Sequence, residues 1–238
     1  MSAGGMPGHA GGSGDKRSRV AARPDAAGGA GGRLGRPIDA VLFDMDGTLT
    51  EPILDFVRMK QALGCPQETP ILEWMLAQPG QEQARIEAQL IDFEIEAAHS
   101  AVAAEGATDT VAWLRRRGYH LGIITRNCMR AVAVTLERCK LQIDYLWTRE
   151  DRPHKPSGQA VIGLCERMGV DADRAVVVGD YKFDLEAARE AGSAAVLLVH
   201  TDELPEWAGL ADVVIRRLTE LKDLLRPRDG CQQQGGGP

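Results

Sequence analysis

The 238-residue chain has no apolar run approaching the ~20 residues that a membrane span needs. It also lacks any C-x-x-C pair. Cys65, Cys128, Cys139, Cys165 and Cys231 are scattered, as reduced thiols in a reducing compartment would be, and show no disulfide framework. The five histidines are equally dispersed, so no spacing suggests a zinc site. There is no basic surplus either: a formal net charge of −6 argues against nucleic acid or an anionic membrane as a non-specific partner. No internal repeat is visible. What the chain does have is a hydrophobic fraction of 44% and enough length for one domain with an insertion, or for two small ones.

Large apolar residues are missing from both ends. Residues 1–36 are rich in Gly and Ala, and their Lys16 and five arginines face only Asp15 and Asp25. Such a segment cannot bury enough surface to offset chain entropy, and disorder is expected over 1–36. Arginine-rich, acid-poor character also fits an organelle transit peptide, although Gly is abundant and Ser scarce. The expected location is therefore intracellular and soluble: cytoplasmic, or plastid or mitochondrial if the segment is a transit peptide. Residues 227–238, which end in GCQQQGGGP, read as a second disordered tail.

From residue 37 the pattern is regular. A buried strand over 38–43 runs into Asp44. Helical spacing follows over 52–63. Thr69-Pro70 is a good helix opening, with a cap residue and then proline at the first position. A long amphipathic helix covers about 81–102. From Gly106 helices and strands alternate: helix 108–117, strand 119–124, helix 129–139, strand 145–147, helix 157–168, strand 175–178, helix 182–191, strand 195–199, strand 212–215 and helix 218–225. Continuous Val/Ile/Leu strands separated by helices imply an α/β fold, a Rossmann-like parallel sheet covered on both faces. The three helices between the first two strands are too many for one crossover and read as an inserted helical cap. The expected division is a catalytic core over 37–50 and 106–226, with the cap over 51–105.

In an open parallel sheet, ligands bind beyond the carboxyl ends of the strands. Asp44 and Asp46 follow the first strand, Thr125, Arg126 and Asn127 the second, and Asp180 and Asp184 the fourth; Lys155 lies in the loop after the third. Taken singly, Asp44 and Thr125 read equally well as helix caps and Lys155 as a solvated loop lysine. Their joint placement on one rim is what points to chemistry. Carboxylates that repel one another need a cation, and Asp44 and Asp180 offer hard oxygen ligands suited to Mg²⁺. Asp44 can then attack phosphorus. Asp46, two residues on, can protonate the leaving oxygen and later activate water. Gly47 lets the chain bend so that backbone N–H groups approach the phosphate. Thr125 and Lys155, with Arg126 beside them, are candidates to hold its oxygens.

DMDGTLT, IITRN, Lys155 and GDYKFD, in that order, resemble the four motifs of the haloacid dehalogenase-like hydrolases. The match runs from about Ile38 to Leu225. The chain is most similar to the branch that holds phosphoglycolate phosphatases and β-phosphoglucomutases, and to HAD-like hydrolases of plants and algae. The resemblance implies a Rossmann-like domain with a cap after the first motif. It implies Asp44 as nucleophile, Asp46 as acid/base that also gives a backbone carbonyl to Mg²⁺, and Asp180 as metal ligand. Thr125 and Lys155 would bind phosphate, and Asp184 would support the metal or Lys155. An acid at position 46 is what phosphatases of the family have and dehalogenases lack. Within the cap, Arg58 and Lys60 are the cations soonest after the first motif and are candidates to select the leaving group.

The expected activity is Mg²⁺-dependent hydrolysis of a small phosphorylated metabolite through an aspartyl-phosphate. A phosphomutase is the alternative within enzymes; the short cap, about 50 residues, favours hydrolysis. A phospho-accepting receiver domain is the alternative from another class. Its phosphorylated Asp follows a later strand, so the D-x-D spacing and the cap count against it.

Overall fold

A computed structural model describes residues 33–225, so most of the expected N-terminal tail and all of the C-terminal one lie outside the described residues. The last four residues of the 1–36 segment are described, and they are tied to the core. Arg33–Gly35 form a 3-10 turn, Arg33 pairs with Asp212 and Arg36 with Asp173.

Six strands form one sheet: β1 (Ala40–Phe43), β2 (His120–Ile124), β3 (Tyr145–Trp147), β4 (Ala175–Gly179), β5 (Ala194–Leu198) and β6 (Val213–Ile215). All pair in parallel, in the order β3-β2-β1-β4-β5-β6. The chain starts in the middle, builds outward through β2 and β3, then returns to lay β4 on the other side of β1. The order therefore reverses between β1 and β4, which opens a crevice above their carboxyl ends. Phe43 is level with Ile123 and Val178, so the residues that follow β1, β2 and β4 emerge at nearly the same height.

Alternation along each strand sends successive side chains to opposite faces. Val41, Phe43, Leu121, Ile123, Val176 and Val178 face α4 (Ala107–Arg116), α5 (Met129–Cys139) and α8 (Leu221–Leu224), which supply Val111, Leu114, Val132 and Leu221. Leu42, Ile124, Val177 and Leu197 face α6 (Gly158–Met168) and α7 (Lys182–Glu190), which supply Val161, Leu164 and Leu185. Because both faces are covered, every residue of β1, β4 and β5 is buried. At ~25 cal/mol per Å² of buried apolar surface, this two-sided core is the main source of stability.

Between β1 and β2 lie the three expected cap helices, α1 (Phe56–Leu63), α2 (Ile71–Leu76) and α3 (Gly80–Ser100). They share a small core of Met59, Leu63, Ile71, Leu72, Met75, Ile86 and Leu90. Helix α1 starts later than its spacing suggests, because the Asp55 carboxylate caps it by accepting from the Arg58 N–H at 3.0 Å. Helix α2 has Pro70 rather than Thr69 at its N-cap, with no side-chain capping bond. The second half of α3 leaves the cap core and packs on α5, where Ala98, Ile91 and Ile95 meet Cys128, Ala131 and Val134. Among the described residues no helix is long and apolar enough to cross a membrane. Cys65, Cys128, Cys139 and Cys165 are buried free thiols.

Candidate active site

The Asp44 N–H donates to the Val178 carbonyl at 2.9 Å, so the chain stays bound to β4 for one residue beyond β1 before it turns. The N–H groups of Thr48, Leu49 and Thr50 then all converge on the Met45 carbonyl. This tight loop needs Gly47 at φ +75°, and a Cβ there would sit 2.3 Å from an Asp180 oxygen. Glycine is required at 47 twice over, by backbone conformation and by the approach of the second acid. Gly179 has a similar role at the end of β4: a Cβ would lie 2.2 Å from the Asp184 carboxyl carbon. The glycines of D-M-D-G and G-D-Y are the spaces into which carboxylates fit.

Lys155 stands at the centre. Its Nζ donates to Asp44 Oδ1 at 2.6 Å and to Asp184 Oδ1 at 2.5 Å, and its side chain is 4% exposed. Carboxylate oxygens of Asp44, Asp180 and Asp184 lie within 4.8 Å of one another. Thr48 Oγ1 approaches Asp180 at 3.5 Å. Asp184 also accepts from the Tyr181 N–H at 3.2 Å. Asp184 is thus committed to Lys155 and to its own helix start, and Asp44 and Asp180 are the pair with oxygens to spare. The Asp46 carboxylate is outside this trio; it accepts from the Asn127 side-chain amide.

One ammonium does not balance four acids. Burial, then the charge of Asp44, pushes the Asp46 carboxyl up to about 7, against the pull of the Asn127 amide. Burial and Asp44 push Asp180 up to about 7, with Lys155 opposing. Asp184 is pushed up to about 7 by burial, with Lys155 working the other way. Burial also works against the charge on Lys155, but Asp184 and Asp44 outweigh it and hold the ammonium above its ordinary range. The cluster is short of positive charge, and its free donors are hard oxygens. That donor set fits a divalent cation held by Asp44 and Asp180.

A model of haloacid dehalogenase-like hydrolases matches residues 38–192. The chain belongs to this family. An uncharacterised hydrolase of Saccharomyces cerevisiae is 30% identical over 79% of this chain and 91% of its own length. The N-acetylmuramic acid 6-phosphate phosphatase of Pseudomonas aeruginosa is 26% identical over 79% of this chain and 95% of its own. A crystal structure of a predicted phosphoglycolate phosphatase from Haemophilus somnus superposes with a TM-score of 0.63 at 18% identity, covering 79% of this chain and 97% of that one. The HAD-like chain is therefore an enzyme, a hydrolase, and the receiver-domain alternative falls.

The structure gathers Asp44, Asp46, Lys155, Asp180 and Asp184 on one rim, with Gly47 beneath Asp180. Thr125 is buried at the end of β2, where its Oγ1 accepts from the Asn127 N–H at 3.2 Å. Arg126 turns towards the cap: Nη2 pairs with Glu73 of α2 at 2.5 Å, and the guanidinium lies 4.9 Å over the Phe183 ring. The expected cap cations are placed differently. Lys60 Nζ donates to the Gln67 carbonyl and ties down the loop after α1, and Arg58 is exposed on α1. Two residues that were given no role above also contribute. Asn127 holds Asp46, and His200 Nε2 lies 2.6 Å from the Gly47 carbonyl. Both sit just past a strand end: Asn127 was already among the residues after the second strand, and the same rule applied to β5 would have pointed to His200. A buried pair, Glu94 with Arg149, joins the cap helix α3 to the loop after β3.

Proposed function

We propose that the chain is a phosphatase that hydrolyses a small phosphate monoester through an aspartyl-phosphate on Asp44, with a Mg²⁺-type cation. The observation that supports this most is the division of labour between two acids two residues apart. Asp44 faces Lys155 and Asp180, whereas Asp46 is turned away to Asn127. One carboxylate faces the cation and phosphate side for attack, and the other can carry a proton.

In the first step an Asp44 oxygen attacks phosphorus, and the bond to the leaving oxygen breaks. That oxygen takes its proton from Asp46, whose pKa near 7 suits donation at neutral pH. Asp46, now ionised, takes a proton from water. The water oxygen attacks phosphorus, phosphate leaves and the Asp44 carboxylate is restored. Lys155 neutralises charge on the phosphoryl oxygens throughout. Thr125 accepts from a backbone N–H, which leaves its own hydroxyl hydrogen for a phosphate oxygen. A cation held by Asp44 and Asp180, with the Asp46 carbonyl that family resemblance suggests, would add charge stabilisation at the same oxygens.

Raised carboxyl pKa values fix a sign for stability. These aspartates hold protons more tightly in the fold than at their ordinary value of 3.8. Ionising them therefore opposes folding: their contribution falls as pH rises from about 4 to about 7 and is fully unfavourable above that. A bound cation relieves the penalty. Mg²⁺ should raise the thermal unfolding midpoint of the chelator-treated protein more at about pH 8 than at about pH 5. An equal rise at both, or none, would show that these carboxylates do not share a cation.

We further propose that residues 51–105 act as a cap over the leaving group, with residues 37–50 and 106–226 as catalytic core. Lys60 is engaged within the cap, so we place the substrate contact on Arg126 rather than on Arg58 and Lys60. Arg126 directly follows Thr125, and its Nη1 is buried with no hydrogen-bond partner among the described residues. Arg126→Ala should raise KM for an anionic ester by ~10–100-fold, the loss of one charge-assisted hydrogen bond. Turnover of p-nitrophenyl phosphate should change little. Steady-state kinetics on both substrates decide this, and equal loss on both would move Arg126 out of the leaving-group site.

A further inference from the structure

Glu94 is out of place on its helix. It occupies the same stripe of α3 as Ile86, Leu90 and Ala98, four residues apart, and like them it is buried. A carboxylate buried in an apolar stripe costs several kcal/mol unless it is paired and hydrogen-bonded. Both conditions are met, and both partners come from the rim. Glu94 Oε2 accepts from the Cys128 N–H at 2.9 Å. Glu94 Oε1 pairs with Arg149, and the two side chains are 3% and 4% exposed.

The partners converge on one residue. The Arg149 backbone N–H donates to the Asn127 carbonyl at 2.9 Å. The Cys128 N–H that Glu94 holds belongs to the peptide unit that begins at that same carbonyl. The peptide group after Asn127 is thus gripped from both sides, its oxygen by Arg149 and its N–H by Glu94. On its other side the Asn127 N–H donates to Thr125 Oγ1. With its backbone fixed, the Asn127 side chain donates to Asp46. The path runs from the cap helix, through the loops after β3 and β2, to the acid after β1.

We infer that Glu94 is a positioning residue: through Cys128 and Arg149 it fixes Asn127, and through Asn127 it orients the Asp46 carboxylate for proton transfer. The inference rests on the phosphatase reading for its kinetic consequence, but the positional link stands apart from it. Glu94 touches no reacting atom. Its loss would leave Asp44 free to take a phosphoryl group from an ester with a good leaving group, and would slow the water step that depends on Asp46. A residue that only stabilised the fold would lower both steps in proportion to the folded protein lost.

The test uses the full chain with Mg²⁺ and p-nitrophenyl phosphate under stopped-flow conditions. Glu94→Ala should give a burst of about one p-nitrophenol per folded molecule, followed by turnover at least ~10-fold slower than the unaltered chain. Glu94→Gln keeps one acceptor and sets an NH2 against the other donor, so its steady rate should fall between that of Glu94→Ala and that of the unaltered chain. Since Glu94→Ala leaves Arg149 charged and buried, Glu94→Leu with Arg149→Met serves in its place if the single variant does not fold. A burst and steady rate that fall together, or a steady rate left unchanged, would overturn the inference. A second readout needs no turnover: hydrogen exchange of the Asn127 side-chain amide, followed by NMR, should quicken at least ~10-fold in the variant while global stability is tracked separately. Unchanged exchange would overturn the positional link. If the unaltered chain releases no phosphate from any ester, the phosphatase reading fails and the exchange result alone decides the link.

Discussion

Asp44→Asn folds normally and turns over at least ~10³-fold more slowly, a loss of about 4 kcal/mol of transition-state stabilisation. The amide is isosteric, so the turn around Gly47 and the bond from the Asp44 N–H to Val178 survive. What is lost is the attacking oxygen, one of the two anionic partners of Lys155 and one of the two spare cation ligands, all at once. The fold does not suffer, because Asp44 also raises the pKa values of Asp46, Asp180 and Asp184. Removing its charge relieves that crowding, and the unfolding midpoint of the metal-free variant should match or exceed that of the unaltered chain. Circular dichroism melts and phosphate-release assays check the two halves separately. A variant that keeps a tenth of the activity would end the nucleophile assignment.

Asp46→Asn fails at a different point. The nucleophile, Lys155 and the Asp180 carboxylate remain, so p-nitrophenyl phosphate, whose leaving group needs no proton, still phosphorylates Asp44. Hydrolysis of the intermediate then stalls because no base takes the proton from water. The expected record is a burst followed by turnover ~10²–10⁴-fold slower, the range general acid–base catalysis supplies. Alkyl esters, which also need the acid in the first step, should show no burst. Equal losses on both substrates without a burst would remove Asp46 from the proton path.

The Asp residues of this site were legible because each follows a buried apolar strand. Ala40–Phe43 and Ala175–Gly179 cannot continue into charged residues and stay in the core, so the acids mark the rim by themselves. The cap was legible from three helical spacings in a row where one crossover helix would do. Asn127 was in view, in the loop after β2, but an amide performs no step of the chemistry, and its role appears only once Asp46 is seen against it. Glu94 and Arg149 were hidden for another reason. They lie 55 residues apart, and only the docking of α3 on α5 brings them together. The buried stripe Ile86, Leu90, Glu94, Ala98 was the one local sign, since a lone acid on an apolar face implies a partner elsewhere. Lys60 was proposed on nearness in sequence to the first motif, whereas its ammonium donates to the Gln67 carbonyl within the cap.

The central claim is that Asp44 carries the phosphoryl group between two half-reactions. Acid-quenched Asp46→Asn protein, mixed briefly with Mg²⁺ and p-nitrophenyl phosphate, tests it most directly by peptide mass spectrometry. The account predicts one phosphoryl group per molecule, on the peptide that contains Asp44, removed by hydroxylamine and absent from the Asp44→Asn/Asp46→Asn double variant. A burst of p-nitrophenol with no phosphoryl group on the protein, or with the group on another residue, would contradict it.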